Sequence, residues 1–437
     1  MREELLNQAN LAVELALQAG ADDVVAGVNW GRSLSYEWRD RRLETVQESI
    51  SRQLGLAVYV EGRFATCSTN DLEPERLKRF AQDTVELTRC LEKDPHRRIT
   101  PPELYEGRSQ ADLNLFDPTM GDLTREQRIE WCSEMDECAR GVTGIHTVEN
   151  EVSDSHGVCA RASSNGFQGT SEATHAYMYT KATALDGDKR PESYYYVGAL
   201  HLKDLASAKS VAQEATRRTL ARVGSKPVTS TRTTMVVAPE AGGRFLGRIF
   251  GALSGGAVQQ KRSFLADSLD QRIGSDILTM TDDPLLVGGA ASHHYDSEGI
   301  ASRQRTVIEK GVLRTFFVDT YYGRKLNWSP TTASSSNTVF EHGERDLAAI
   351  LGSLQDGIYV TSWLGGNANM TTGDFSFGIS GHLVRGGEIV APVSEMNVTG
   401  NYRDMLQGLV EVGNDPIPWS SFRSPTLVFE NVQFSGL

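Results

Sequence analysis

The stretch Pro239-Glu240-Ala241-Gly242-Gly243-Arg244 has the frame in which a zinc hydrolase sets its metal ligands on a helix. That chemistry needs two imidazoles at i and i+4 or i+5 on one face. It also needs a glutamate beside them to polarise the metal-bound water, and a third ligand from elsewhere. Only Glu240 meets the requirement. Pro239 has no ligating atom, and Arg244 is a permanent cation that repels a divalent metal. The same residues also open an ordinary helix, with proline in the first position and an acid in the first turn, where it complements the helix dipole. No catalytic residue and no metal ligand is therefore assigned here.

Other constellations carry weaker chemistry. His293-His294 is the only histidine doublet, and neighbours on a strand point to opposite faces, which is poor geometry for one metal. Asp296-Ser297-Glu298-Gly299 would put two carboxylates on one side of an extended segment, suited to acid-base work or to holding a cation, or equally to a solvated turn. Thr281-Asp282-Asp283-Pro284 reads the same way. Gly378-Ile379-Ser380-Gly381-His382 places serine and histidine two apart, but no orienting acid or oxyanion hole can be located. There is no GxSxG elbow, P-loop or strand-borne GxGxxG.

These residues need elements to position them. Leu5, Leu6, Ala9, Ala12, Val13, Ala16 and Leu17 recur at helical spacing up to Gly20, predicting a helix over 3–19. Alternating strands follow at 24–28, 33–38, 43–49 and 53–60, with breaks expected at Gly31-Arg32, Arg39-Asp40 and Glu61-Gly62. A helix over 73–92 closes the unit, and the Pro- and Gly-rich stretch 93–121 reads as a connector. The pattern then recurs. Thr124 and Gln127 make a capping box for a helix over 124–140, strands lie near 145–152, 157–164, 167–182 and 191–203, Asn165-Gly166 is a hairpin turn, and a helix over 205–223 ends at Gly224. Helix, antiparallel meander, helix thus occurs twice, suggesting a duplication of 1–92 and 122–224 within an N-terminal α+β domain of residues 1–225. Residues 226–437 form a mostly β domain with few helices. There we expect a strand at 233–237, a helix at 240–250, hairpins across Glu309-Lys310-Gly311 and Arg385-Gly386-Gly387, helices at 346–354 and 400–410, and a last strand at 426–432.

Composition limits the partners. The 57 acidic and 44 basic side chains leave a net charge of −13, which repels a phosphate backbone unless a local basic patch intervenes. Arg97-Arg98 and Arg217-Arg218 are isolated pairs that read as ordinary solvated charge, so no nucleic-acid partner is expected. The five cysteines, Cys67, Cys90, Cys132, Cys138 and Cys159, show no CxxC spacing and read as reduced thiols. The opening residues are too polar for a signal peptide, and no stretch is apolar enough to span a membrane. A soluble, cytoplasmic protein with no membrane partner is the expectation.

Several segments, in order and spacing together, carry a resemblance. They are Pro239-Glu240-Ala241 through Gly247, Ser254-Gly255-Gly256 with Arg262-Ser263-Phe264-Leu265, Asp282-Asp283-Pro284, Asp296-Ser297-Glu298-Gly299, Ile308-Glu309-Lys310-Gly311-Val312-Leu313, Thr372-Gly373-Asp374-Phe375-Ser376, Gly387-Glu388-Ile389 with Pro392-Val393, and Val412-Gly413-Asn414-Asp415. With them the chain resembles the TldD/PmbA family, once labelled modulators of DNA gyrase and understood as peptidases. TldD-like members carry His-Glu-x-x-x-His at this helix and a cysteine ligand in a glycine-rich loop after the Gly-Asn-Asp segment. Here Pro239 and Arg244 occupy the histidine positions. The loop Pro416-Ile417-Pro418-Trp419-Ser420-Ser421-Phe422-Arg423 is short, and no cysteine follows Cys159.

The resemblance therefore implies the TldE (PmbA) branch: a non-catalytic subunit that binds no metal itself and pairs with a zinc-bearing TldD-like subunit in a heterodimeric metalloprotease acting on unfolded peptides. An extended peptide can be held by strand addition, and Gly365, Gly366, Asn367, Thr371, Thr372, Gly373, Asp374, Phe375 and Ser376 are the candidates for its lining. Two alternatives remain open at this point. One is a homodimeric peptide-binding or chaperone-like module without protease activity. The other is a metal-free carboxylate site formed by Glu240, Asp296 and Glu298. The old gyrase label would imply a DNA-linked role, which the acidic balance disfavours.

Overall fold

The structure, a computed structural model, describes residues 1–436. Helix α1 (Arg2–Gln18) leads into three antiparallel strands, β1 (Asp23–Arg39), β2 (Arg42–Val60) and β3 (Arg63–Thr69), closed by helix α2 (Pro74–Arg89). The four short strands expected between residues 24 and 60 are two long ones. Gly31 does not break β1, because it is extended and paired on both sides, with Ser51 of β2 and with Gly157 of the strand beyond. The second unit repeats the order: α3 (Arg125–Arg140), β4 (Ile145–Ser163), β5 (Gln168–Ala184), β6 (Glu192–Ala199) and α4 (Ala208–Leu220). Here too one strand, Ile145–Ser163, stands where two were expected.

The two meanders share one sheet of order β3-β2-β1-β4-β5-β6, joined where β1 runs antiparallel to β4. Val24, Ala26, Val28, Leu34 and Tyr36 alternate into the same face of β1. Helices α1 and α2 cover one end of that face and α3 and α4 the other. The α3 end is pinned by a capping box between Thr124 and Gln127, and by Arg128, whose Nε reaches Asp154 at 2.6 Å although both residues are buried. The opposite face carries the tyrosines Tyr177, Tyr179, Tyr194 and Tyr196, and β6 is left as an edge strand. All five cysteines are free thiols. No helix is long and apolar enough to cross a membrane among the described residues.

The remaining chain is mostly β. Strand β7 (Thr231–Val237) runs into α5 (Pro239–Leu246), followed by the short helices α6 (Ile249–Ala252) and α7 (Gly255–Gln259). The single helix expected over 240–250 is thus interrupted at Gly247. A small sheet gathers β8 (Met280–Asp282), β9 (Arg305–Glu309), β10 (Val312–Leu313), β11 (Thr338–Phe340) and β16 (Phe422–Arg423), with α8 (Thr320–Leu326) and α9 (Leu347–Ser353) inserted along the chain. The main sheet has the order β14-β13-β12-β7-β17-β15, built from β12 (Asp356–Ala368), β13 (Asp374–Arg385), β14 (Glu388–Asn401), β15 (Leu409–Val412) and β17 (Leu427–Ser435), with α10 (Tyr402–Gln407) after β14. It curls until β14 meets β17 at Asn397↔Ser435 and Val398↔Phe434. The hairpin turn at Gly386-Gly387 has positive φ at both glycines, as its sequence predicts.

Helix α5 packs into the hollow of this curled sheet. Phe245 is fully buried among Trp363, Phe375, Phe377, Tyr402 and Phe429, with ring centroids 4.9–6.2 Å away. Trp363 Nε1 donates to the Ala241 carbonyl and the Tyr402 hydroxyl to the Phe245 carbonyl, each at 2.9 Å. Gly242 is required there, since a Cβ at that position would lie 2.0 Å from Ser424 Oγ.

Candidate functional site

The first turn of α5 opens on a cleft of about 570 Å³ between the two halves of the chain. Its N-terminal wall is the edge strand β6 (Ser193 to Tyr196) with Arg217, Arg218 and Arg222 from the end of α4. The facing wall is Glu240, Ala241 and Arg244 of α5, Tyr359 to Leu364 of β12, His382 of β13 and Ile389 to Pro392 of β14, with Ile417 and Trp419 on the rim. A volume of this size is in the range of small-ligand pockets, roughly 300–1,000 Å³.

Pro239 takes the first helical position, and Ala238 N donates to Val360 O at 3.0 Å, so β12 fixes where the helix starts. Glu240 does not point at empty solvent. Its carboxylate is bonded to the Arg218 guanidinium, which also donates to Glu214 at 2.7 Å and lies 4.5 Å above the Tyr195 ring. Arg217 grips the same Glu214 through two bonds of 2.7 Å. Burial alone would raise the Glu214 carboxyl, but hydrogen bonds from Arg217 and Arg218 outweigh it and hold the carboxyl below its ordinary range. Burial lowers the proton affinity of His382, and the charges of Arg217 and Arg222 lower it further, so this imidazole is neutral near pH 7. The Tyr359 hydroxyl is raised by burial and then by Glu240.

These residues do not fit a zinc ion. Pro239 offers no donor, Arg244 brings a positive charge, and the carboxylate of Glu240 is already held by a second cation, Arg218. Where a metal would polarise water beside the glutamate, this chain has the Arg218 guanidinium.

The other sequence candidates resolve into structure. Asp296 accepts four hydrogen bonds: Glu298 N at 2.8 Å and Ile300 N at 3.0 Å on Oδ1, Thr332 Oγ1 and Ala333 N at 3.1 Å on Oδ2. Glu298 accepts from Thr320 N at 2.8 Å and Thr320 Oγ1 at 2.6 Å. Burial pushes its carboxyl up, against those two bonds. The pair is a turn, not an extended segment, and neither residue lines the cleft that holds Glu240, so the three do not form a carboxylate site. Asp282 accepts from Ser336 N and Oγ at 2.5 and 2.7 Å. His293 and His294 turn apart, toward the Ala291 and Ala111 carbonyls. Ser380 is buried on β13, bonded through its carbonyl to Thr361, while His382 stacks 6.0 Å from Tyr359.

The nine expected lining residues do not share one surface. Gly365 and Gly366 sit in β12 opposite Gly378 and Phe377 of β13, and Asn367 pairs with Ser376. Asn367 and Thr371 line a separate depression near Gly255 and Tyr322. Thr372, Gly373 and Asp374 form a tight turn, with Asp374 accepting from Thr372 Oγ1 and Asn401 Nδ2, and Phe375 belongs to the aromatic core around Phe245. Of the residues with candidate chemistry in the sequence, Glu240, Arg244 and His382 line the cleft; the tyrosines of β6 and the arginines after them are not among those candidates. Arg217-Arg218 is not ordinary solvated charge: bonded to Glu214 and Glu240, it organises the N-terminal wall of the cleft. The triplet Tyr194-Tyr195-Tyr196, next to a helix ending in two arginines, is the signal that could have found it.

Family models for PmbA/TldA metallopeptidases match the chain throughout: domain 1 over residues 24–88, the central domain over 119–223 and the C-terminal domain over 230–436. Metalloprotease PmbA of Escherichia coli O157:H7 is 29% identical over 440 residues, covering 100% of this chain and 97% of that protein. The PmbA homologue of Haemophilus influenzae is 27% identical over 99% of this chain and 96% of its own length. Among solved structures, a Bacteroides thetaiotaomicron protein described as a modulator of DNA gyrase superposes with a TM-score of 0.96 at 38% identity, covering 99% of this chain and 98% of that one. TldE from Thermococcus kodakarensis superposes with a TM-score of 0.87 at 18% identity, covering 98% and 100%, a likeness of fold. The chain belongs to the PmbA/TldD metalloprotease family.

Proposed function

We propose that this chain is the non-catalytic, TldE/PmbA-like subunit of a heterodimeric TldD/TldE-type zinc metalloprotease that degrades or trims unfolded peptides. One observation carries the proposal: at the start of α5 the ligand positions are Pro239 and Arg244, and the remaining glutamate is occupied by Arg218. Zinc would then be held by the TldD-like partner, and this chain contributes a wall for an extended peptide. The open edge of β6 beside the cleft suits that task, because strand addition reads a peptide backbone with little demand on sequence.

The test is to purify the chain with and without a TldD-like subunit, weigh the complex, and assay cleavage of an unstructured peptide. A one-to-one complex with metal-dependent cleavage, absent from this chain alone, is expected. Failure to associate, with peptide binding retained, would favour the homodimeric holder instead.

A further inference from the structure

The charges of the cleft do not cancel. Glu214 is held by Arg217 and Arg218, Glu240 by Arg218, and Glu192 by Lys181 at 3.0 Å. Among the described residues, that leaves Arg222 and Arg244 on the same cleft without a salt bridge of their own, with Arg222 feeling only the charge of Glu192, which Lys181 already holds. Arg222 donates one guanidinium nitrogen to the Glu192 carbonyl at 2.7 Å, while its Nε is shielded and has no hydrogen-bond partner. Arg244 is exposed on α5, and the turn that carries it is fixed from behind by Trp363. In a chain of net charge −13 this is a local positive site. Its rim is apolar: Leu364, Ile389 and Val390 are 48%, 51% and 51% exposed, and Tyr194 and Tyr196 stand half-exposed opposite. A contiguous exposed apolar patch rimmed by polar groups marks a binding surface, and arginine and aromatic residues are enriched at such surfaces.

We infer that this cleft binds the C-terminal carboxylate of an extended peptide, with Arg244 and Arg222 receiving the charge and the rim of Leu364, Ile389 and Val390 receiving the last apolar side chains. A guanidinium presents two parallel N–H groups that match a carboxylate. A chain end is favoured over an internal acidic side chain because the pocket is short. At about 570 Å³ it admits a terminus, whereas an internal residue must bring two flanking segments with it. The inference rests on the cleft being a peptide-binding wall, as proposed above.

The probe is a fluorescein-labelled, unstructured octapeptide ending in leucine, prepared as the free acid, as the C-terminal amide, and as the amide with one internal aspartate. Anisotropy with the full chain should show the free acid binding about tenfold more tightly than either amide, the effect of one charge-assisted pairing. Arg244→Gln, at an exposed position that leaves the core intact, should bring the free acid down to the amide's affinity without changing the amide. Equal binding of acid and amide, no binding of any probe, or an aspartate amide that matches the acid would overturn the site. Zinc-dependent cleavage of the probe by the lone chain would instead overturn the non-catalytic reading, and the acid-to-amide ratio would still decide this one.

Discussion

Two regions of this protein carry the acidic residues that chemistry would notice first, and they use them in opposite ways. At the Asp296–Glu298 turn the carboxylate oxygens are bound by the protein's own N–H and O–H groups, and the turn is packed against Thr320 and Thr332. At the α5 cleft one glutamate faces a row of arginines beside open space. Carboxylates whose bonds are all made locally hold a fold. A site needs spare bonding capacity and room for a guest, and of the two regions only the cleft has both.

The sharpest break in that comparison is Asp296→Ala. It strands the backbone N–H groups of Glu298, Ile300 and Ala333 and the Thr332 hydroxyl at a buried turn, so unfolding in urea should show a loss of about 3 kcal/mol while peptide binding at the cleft is unchanged in the folded fraction. Arg218→Ala acts on the other region. It removes the bonds to Glu214 and Glu240 and the contact with Tyr195. Because all three charged groups are partly exposed, the cost should be only about 1 kcal/mol, seen as a lower thermal midpoint. Glu240→Gln should be smaller still, under about 0.5 kcal/mol, and the cleavage activity of the assembled complex should be unchanged. A large loss of activity in that variant would restore a catalytic role to Glu240.

The same contrast bears on what sequence could reveal. Local signals survived folding intact: the Thr124/Gln127 capping box, the Gly386-Gly387 turn and the helices at 73–92 and 124–140 all formed because their causes lie within a few residues. Gly31 was misleading because a glycine breaks a strand only when no neighbour pairs with it, and here strands pair on both sides. The missing ligands at Pro239 and Arg244 were legible from side-chain chemistry alone. The cleft was not, since β6, the end of α4, α5 and the β12–β14 strands are brought together only when the N-terminal sheet packs on the C-terminal one. Nor was the fate of Phe375, whose burial depends on α5 entering the curled sheet.

The smallest effects are in pH, and their signs oppose. Burial, then Arg217 and Arg222, hold the folded His382 below its ordinary value of 6.5, so its contribution is present above 6.5 and is lost as pH falls below it. Burial holds Glu298 above its ordinary value of 4.5, so its contribution is present below 4.5 and is lost as pH rises through the raised value. Thermal midpoints should therefore decline less below pH 6.5 in His382→Phe than in the parent chain. In Glu298→Gln the decline on raising pH above 4.5 should be the part that shrinks.

The central claim is that the start of α5 cannot run metal chemistry in this chain. It is tested most directly by measuring zinc content and peptide cleavage of the purified chain alone, after chelation and re-addition of zinc, beside the same assays with a TldD-like subunit. The account predicts no stoichiometric zinc and no cleavage by the lone chain, with metal-dependent cleavage appearing only in the complex. Zinc-restored cleavage by the lone chain would contradict it.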